Sequence, residues 1–135
     1  AITTEGKLWR GTLDGNSSKL SLINLAENSL FSIFKKGEYK KFIYTNNNML
    51  FILNSNFETI NSLKITNNIT SLVINNLGIM FTTENELYLW KNDGIAEGFP
   101  IESDGYFNIA DIDNNGKINM INSKNGFIYN YELNY

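Results

Sequence analysis

The chain has 135 residues, enough for one domain with a real core, and a formal net charge of −3 at pH 7. It holds neither His nor Cys, which excludes disulfides, thiolate nucleophiles and every Ser-His-Asp arrangement. The acidic balance argues against a nucleic-acid groove, and no apolar run approaches the ~20 residues needed to span a bilayer.

In chain order, the first element is AITTEGKLW (1–9): a short β-prone run, a Glu5-Gly6 turn and a second run ending in Leu8-Trp9. A turn at Asp14-Gly15 and a looser apolar segment over 19–25 follow. An apolar run at 30–34 then leads into Lys35, Lys36, Lys40 and Lys41 around Gly37, a basic group that reads as a solvated turn. The hairpin pattern returns as IYTNNNMLF (43–51), with a Ser55-Asn56 turn and a segment over 58–65 behind it. A third round runs from 70–74 through MFTTENELY (80–88) and Asp93-Gly94 to 95–101. The last comprises 106–110 and INSKNGFIY (121–129).

The four hairpin segments align without gaps. Each ends in an aliphatic residue followed by Trp9, Phe51, Tyr88 or Tyr129, which stand 42, 37 and 41 residues apart. Three residues before each aromatic is Gly6, Asn48, Asn85 or Gly126, the residue types that tolerate the positive φ of a two-residue type I′ turn. Six before it is Thr3, Thr45, Thr82 or Ser123. Four short antiparallel strands every 40 or so residues make a β-propeller blade. No window carries an i, i+3, i+4, i+7 apolar stripe.

The predicted architecture is therefore all-β, with about 3 to 3.5 blades: a partial blade over 1–28, two blades over 29–68 and 69–105, and a final one over 106–135. So few blades do not close a ring, because each needs a neighbour on both faces. Three arrangements are open: part of a larger propeller, a protomer completing a ring with other copies, or a small closed four-bladed form.

One segment carries chemistry. Asp111-Ile112-Asp113-Asn114-Asn115-Gly116-Lys117-Ile118-Asn119 places side-chain oxygens at relative positions 1, 3, 5 and 9, with Gly116 where a tight loop must turn. Alternating oxygens and the Lys117 carbonyl suit a hard cation, but Asn122 stands where a helical calcium loop has Glu. The same residues also suit an Asx-rich turn closed by side-chain to backbone hydrogen bonds.

The stretch YFNIADIDNNGKINMINSKNGFIYNYEL (106–133) resembles the FG-GAP or VCBS-type repeat of integrin-like β-propellers, and LYLWKNDGIAEGFPI (87–101) is similar to the outer-strand segment of secreted bacterial propellers of that type. The resemblance implies calcium held by Asp111, Asp113, Asn115, the Lys117 backbone and Asn119. Asn at relative positions 5 and 9 leaves two carboxylates, which implies weak affinity. The loops at 35–38 and 75–78 lack the pattern.

Trp9, Phe51, Tyr88 and Tyr129 are expected to pack blade on blade, as are Trp90 and Tyr131; a carbohydrate-stacking platform is the alternative. Glu97, Glu102 and Asp104 gather near Pro100 and read as solvated acids in preference to a glycosidase pair. Asn16 and Asn68 open glycosylation sequons. The expected function is a non-catalytic module binding protein or glycan in a secreted or cell-envelope assembly, extracellular, periplasmic or on the outer surface. Its first partners are other blades of the same propeller. The alternative is a set of accessory blades of a secreted polysaccharide lyase or protease whose active site lies outside this chain.

Overall fold

The computed structural model describes residues 7–9, 22–24, 29–37, 39–91, 93–102, 107–113 and 115–132. Among them all regular structure is β, and every strand pairing is antiparallel. β1 (Lys7–Trp9) pairs with β2 (Leu22–Asn24). β3 (Phe31–Lys36), β4 (Tyr39–Asn46), β5 (Met49–Leu53) and β6 (Thr59–Lys64) form a four-stranded meander in sequence order. A second meander has β7 (Ser71–Asn75), β8 (Gly78–Thr82) and β9 (Glu86–Lys91). Its fourth place is shared by β10 (Gly94–Ile95) and β11 (Ile101–Glu102), both paired with β9. The third has β12 (Phe107–Ile112), β13 (Lys117–Asn122) and β14 (Ile128–Glu132).

The sheets stack through their first strands: β7 lies against β3 on one side and β12 on the other. The side-chain period of 2 then divides the middle sheet between two cores. Ile79, Phe81 and Trp90 face Ile43, Leu50 and Ile52 of the first meander. Met80, Leu87 and Leu89 face Ile118 and Met120 of the third. Burial on both faces is why β8 and β9 read as near-continuous apolar runs, GIMFT and ELYLWK. Phe81, Leu50, Leu87, Ile118 and Met120 are fully buried, and truncating any of them to Ala costs about 2–5 kcal/mol.

Three local expectations are corrected. The outer segment over 95–101 is not one strand. Ala96 still donates its N–H to the Leu89 carbonyl at 2.8 Å, but the chain then loops out, with Phe99 donating to the Ala96 carbonyl at 3.1 Å. Gly98 at φ 81 and Pro100, which has no N–H to give and follows a cis peptide, break the ladder until Ile101 pairs with Leu87. The Glu84-Asn85 turn uses no left-handed residue: Thr83 donates to the Glu86 carbonyl at 2.9 Å instead. At Asn47-Asn48 only Asn47 has positive φ, 54°. Asn48 instead donates its Nδ2 to the Ile65 carbonyl at 2.8 Å.

The β13–β14 hairpin departs further. Asn125-Gly126 lies inside a four-residue loop, 123–126, and not in a two-residue turn. Buried Asn122 draws the loop inward: its Oδ1 accepts the Lys124 N–H at 2.9 Å, and its carbonyl accepts the Gly126 N–H at 2.8 Å. An Asx side chain at the end of a strand offers the backbone that alternative closure.

Candidate functional site

The 111–119 segment takes in the end of β12, the turn that follows and the start of β13. β12 carries a register irregularity between Ile109 and Asp111, after which Asp111 stands opposite Asn119 in the ladder. Bulges of this kind re-aim a strand end at the rim of a sheet. Asp113 then closes the loop on itself: its Oδ1 accepts the N–H of Asn115 at 2.9 Å and of Lys117 at 2.8 Å. Its own N–H donates to the Lys117 carbonyl at 3.0 Å, and the Gly116 N–H donates to the Asp113 carbonyl at 3.2 Å. Asn75 reaches from the neighbouring sheet to the Asp113 carbonyl, Nδ2 to O at 3.3 Å.

The chain's own groups thus satisfy this turn. The donor types, two carboxylates with amide and carbonyl oxygens, are those a hard cation takes, but the Lys117 carbonyl already serves the Asp113 amide. Among the described residues no three His, Cys, Asp or Glu side chains gather as a metal cluster.

The repeated aromatics occupy matched places. Phe51 stacks on Tyr44 with ring centroids 4.8 Å apart, and Tyr88 stacks on Phe81 at 4.8 Å, each a directly opposed cross-strand pair. Tyr88 packs on the first core, and Tyr129 and Tyr131 on the second; Trp90 is buried in the first. The Tyr88 hydroxyl donates to Glu86 Oε2 at 2.8 Å. Burial, then that hydrogen bond and the carboxylate charge, push its pKa up from 10.0 to about 12. Burial alone raises that of Tyr44. Glu97 and Glu102 are exposed, while Asn16, Asp104 and the side chains of Trp9 and Asp111 lie outside the described groups.

A cleft of about 310 Å³ opens between the first and second meanders. Phe34, Ile52, Ile74, Ile79 and Trp90 give it an apolar lining. Lys36 and Lys41 come to it from one sheet and Lys91 from the other. The sequence grouped Lys36 and Lys41 with Lys35 and Lys40, and strand alternation puts the two pairs on opposite faces, with only Lys41 half-buried. Lys91, 50 residues further along, had no local signal to join it to Lys41.

The far face of the third meander meets no other described element. Ile121 and Ile128 are directly opposed there and 41% and 65% exposed, beside Phe127 at 66%. The opposed pairs Asn119–Asn130 and Lys117–Glu132 share that face.

No family model matches the chain, and no curated protein matches it. Among solved structures it is similar to Hsv2 of the yeast Kluyveromyces marxianus, a β-propeller, with a TM-score of 0.55 at 10% identity. The match covers 93% of this chain and 45% of Hsv2, so the chain spans less than half the length of that relative. Among the described residues no helix is long and apolar enough to cross a membrane. At this identity the likeness shows the fold alone: this is an all-β chain of stacked antiparallel sheets with a propeller-like arrangement.

Proposed function

We propose that the chain is a non-catalytic propeller module that binds or scaffolds other macromolecules, its first partner being a further sheet of a propeller. The observation that carries this reading is the outer face of β12–β14. Sheets in this fold bury one another, as the two-sided burial of β8 and β9 demonstrates. The third meander buries Ile118 and Met120 on one side yet presents Ile121 and Ile128 on the other. Fully burying one such side chain contributes about 1.5–3 kcal/mol, a strong incentive for a covering sheet. That sheet comes from adjoining sequence or from another copy of this chain. The secreted or envelope setting rests on the resemblance to FG-GAP and VCBS-type repeats. So does calcium, which Asp111, Asp113, Asn115, Asn119 and the Lys117 carbonyl would hold weakly.

Sedimentation of the 135-residue chain beside Ile128→Lys tests the module reading. A multimer that Ile128→Lys returns to single-chain mass identifies another copy as the cover. A single-chain mass with dye binding to the apolar face, weakened by the substitution, identifies adjoining sequence. A single-chain particle that binds no dye, with unchanged unfolding in Ile128→Lys, overturns the reading.

A further inference from the structure

Beyond β5 and beyond β9 a further strand closes the sheet, and one repeat position meets an aliphatic residue there each time. Leu50 stands opposite Leu63 of β6, and Leu87 opposite Ile101 of β11. In the two-stranded sheet Leu8 of β1 stands opposite Ile23 of β2. A polar residue follows each of these aliphatics, giving Ile23-Asn24, Leu63-Lys64 and Ile101-Glu102. Ile128 holds the equivalent position in β14, one residue before Tyr129, and no described strand pairs with the outer edge of β14. Leu50 and Leu87 are 0% exposed, and Ile128 is 65% exposed.

The backbone of β14 is open in the same place. The Asn122 N–H donates to the Phe127 carbonyl at 2.9 Å, which makes that pair a hydrogen-bonded rung of the β13–β14 ladder. Antiparallel rungs alternate, so the N–H and C=O groups of Ile128, Asn130 and Glu132 turn away from β13. A row of such groups on an exposed edge is a template for one more strand. The other outer edges are blunted. The Ile65 N–H bonds the Asn48 carbonyl, and alternation from there turns the Ser62 N–H away from β5, where Asn61 Oδ1 accepts it at 2.8 Å. Outside β9 the place is divided between β10 and β11, each of 2 residues.

We infer that the outer edge of β14 takes a strand from a partner polypeptide: an extended segment, antiparallel to β14, with an aliphatic residue opposite Ile128 and a polar residue after it. Main-chain hydrogen bonds hold such a segment, and the aliphatic rung sets its register. A second copy of this chain does not supply it. Two antiparallel β14 strands set Ile128 against an aliphatic residue only where it meets its own counterpart, and because β14 begins at Ile128 the strands then overlap at that single residue. The β6 edge of another copy is capped at Ser62, and its β11 is too short. The docked strand lies in the plane of the β12–β14 sheet, whereas the covering sheet proposed above stacks on the Ile121–Ile128 face, so the two partners are separate.

The test uses the full chain and a labelled peptide of its residues 58–65, ETINSLKI, which contains the β6 sequence and the Leu63-Lys64 pair. Binding is followed by polarisation, and amide exchange is recorded by NMR with and without the peptide. Asn130→Pro removes one outward N–H and spares the ladder to β13, a position at which edge strands accept Pro. Its unfolding transition is recorded. Should that variant not fold, a peptide N-methylated at Leu63, whose N–H turns toward β5 in the intact sheet, takes its place.

Saturable binding that slows exchange at Ile128, Asn130 and Glu132 supports the assignment, as does weakening of about tenfold by Leu63→Lys in the peptide or by Asn130→Pro. Slow exchange of those three amides in the chain alone overturns it, since the edge is then already filled. Slowing that follows protein concentration without peptide also overturns it and makes a second copy the occupant. Unchanged affinity for the Leu63→Lys peptide, or in Asn130→Pro or its N-methyl substitute, does the same, and so does the absence of any polarisation change. Asn130→Pro leaves Ile121 and Ile128 in place, so failure here leaves the module reading standing.

Discussion

Leu30 and Thr45 hold each other by two hydrogen bonds: the Leu30 N–H donates to Thr45 Oγ1 at 2.8 Å, and the Thr45 N–H donates to the Leu30 carbonyl at 2.9 Å. The next sheet repeats the clasp with other atoms. Thr70 donates its N–H to the Thr82 carbonyl at 2.8 Å, and its hydroxyl lies 2.9 Å from Thr82 Oγ1, which also meets the Ser71 hydroxyl. The clasp pins the start of a sheet's first strand to the end of its second. It accounts for Thr45 and Thr82, six residues before Phe51 and Tyr88; Thr3 lies outside the described residues, and Ser123 sits exposed in a turn.

Thr45→Val keeps the shape and removes the hydroxyl, leaving the Leu30 N–H without a partner beside a side chain 2% exposed. An unsatisfied donor of this kind costs about 1–3 kcal/mol. The urea midpoint should fall by that free energy divided by the slope, with the slope unchanged, while Thr45→Ser retains most of the wild-type stability.

Gly78 tests how closely β8 and β9 approach. A Cβ there would lie 2.7 Å from the Trp90 carbonyl oxygen, at φ +148. Gly94 has a similar φ, +141, with nothing within 4 Å. Gly78→Ala is expected to cost about 2 kcal/mol or more and Gly94→Ala about 1 kcal/mol, both read from denaturant unfolding. Equal losses would mean that backbone conformation, and not the contact with Trp90, dominates.

Tyr88 predicts how stability varies at alkaline pH. Its folded pKa of about 12 stands above the ordinary 10.0, so its contribution is whole below pH 10 and is lost as pH rises toward 12. The unfolded chain ionises first in that window and is favoured by it. Tyr44, raised by burial, acts in the same direction. The fall in the denaturation midpoint between those pH values should be shallower in Tyr88→Phe, and tyrosinate absorbance should show one fewer late-titrating group.

The 111–119 loop yields a two-sided expectation. Because Asp113 Oδ1 already accepts two backbone amides, chelator should leave the unfolding transition in place. Calorimetry with millimolar calcium, the range expected for two carboxylates, should give heat that Asp111→Ala removes. No heat from the wild-type chain removes calcium from the account. Asp113→Ala should destabilise with or without the ion, by about 1 kcal/mol, through the loss of the Asx turn.

IYTNNNMLF and MFTTENELY carry their structure within nine residues, and they form the β4–β5 and β8–β9 hairpins. Alternation and a turn between two β-prone runs act over a span the chain samples locally, so strands and bends were readable. The break at 96–100 was less so, because Gly98 and Pro100 permit a loop without requiring one. Asn122 diverted the β13–β14 hairpin because a buried Asx competes with the ladder, which its position in the repeat did not disclose. The joining of Lys36, Lys41 and Lys91 in one cleft, and the opposite fates of Ile118 and Ile121 on one strand, depend on which sheet stacks on which. Stacking is settled by twist and by side-chain fit between elements tens of residues apart, and no local pattern encodes it.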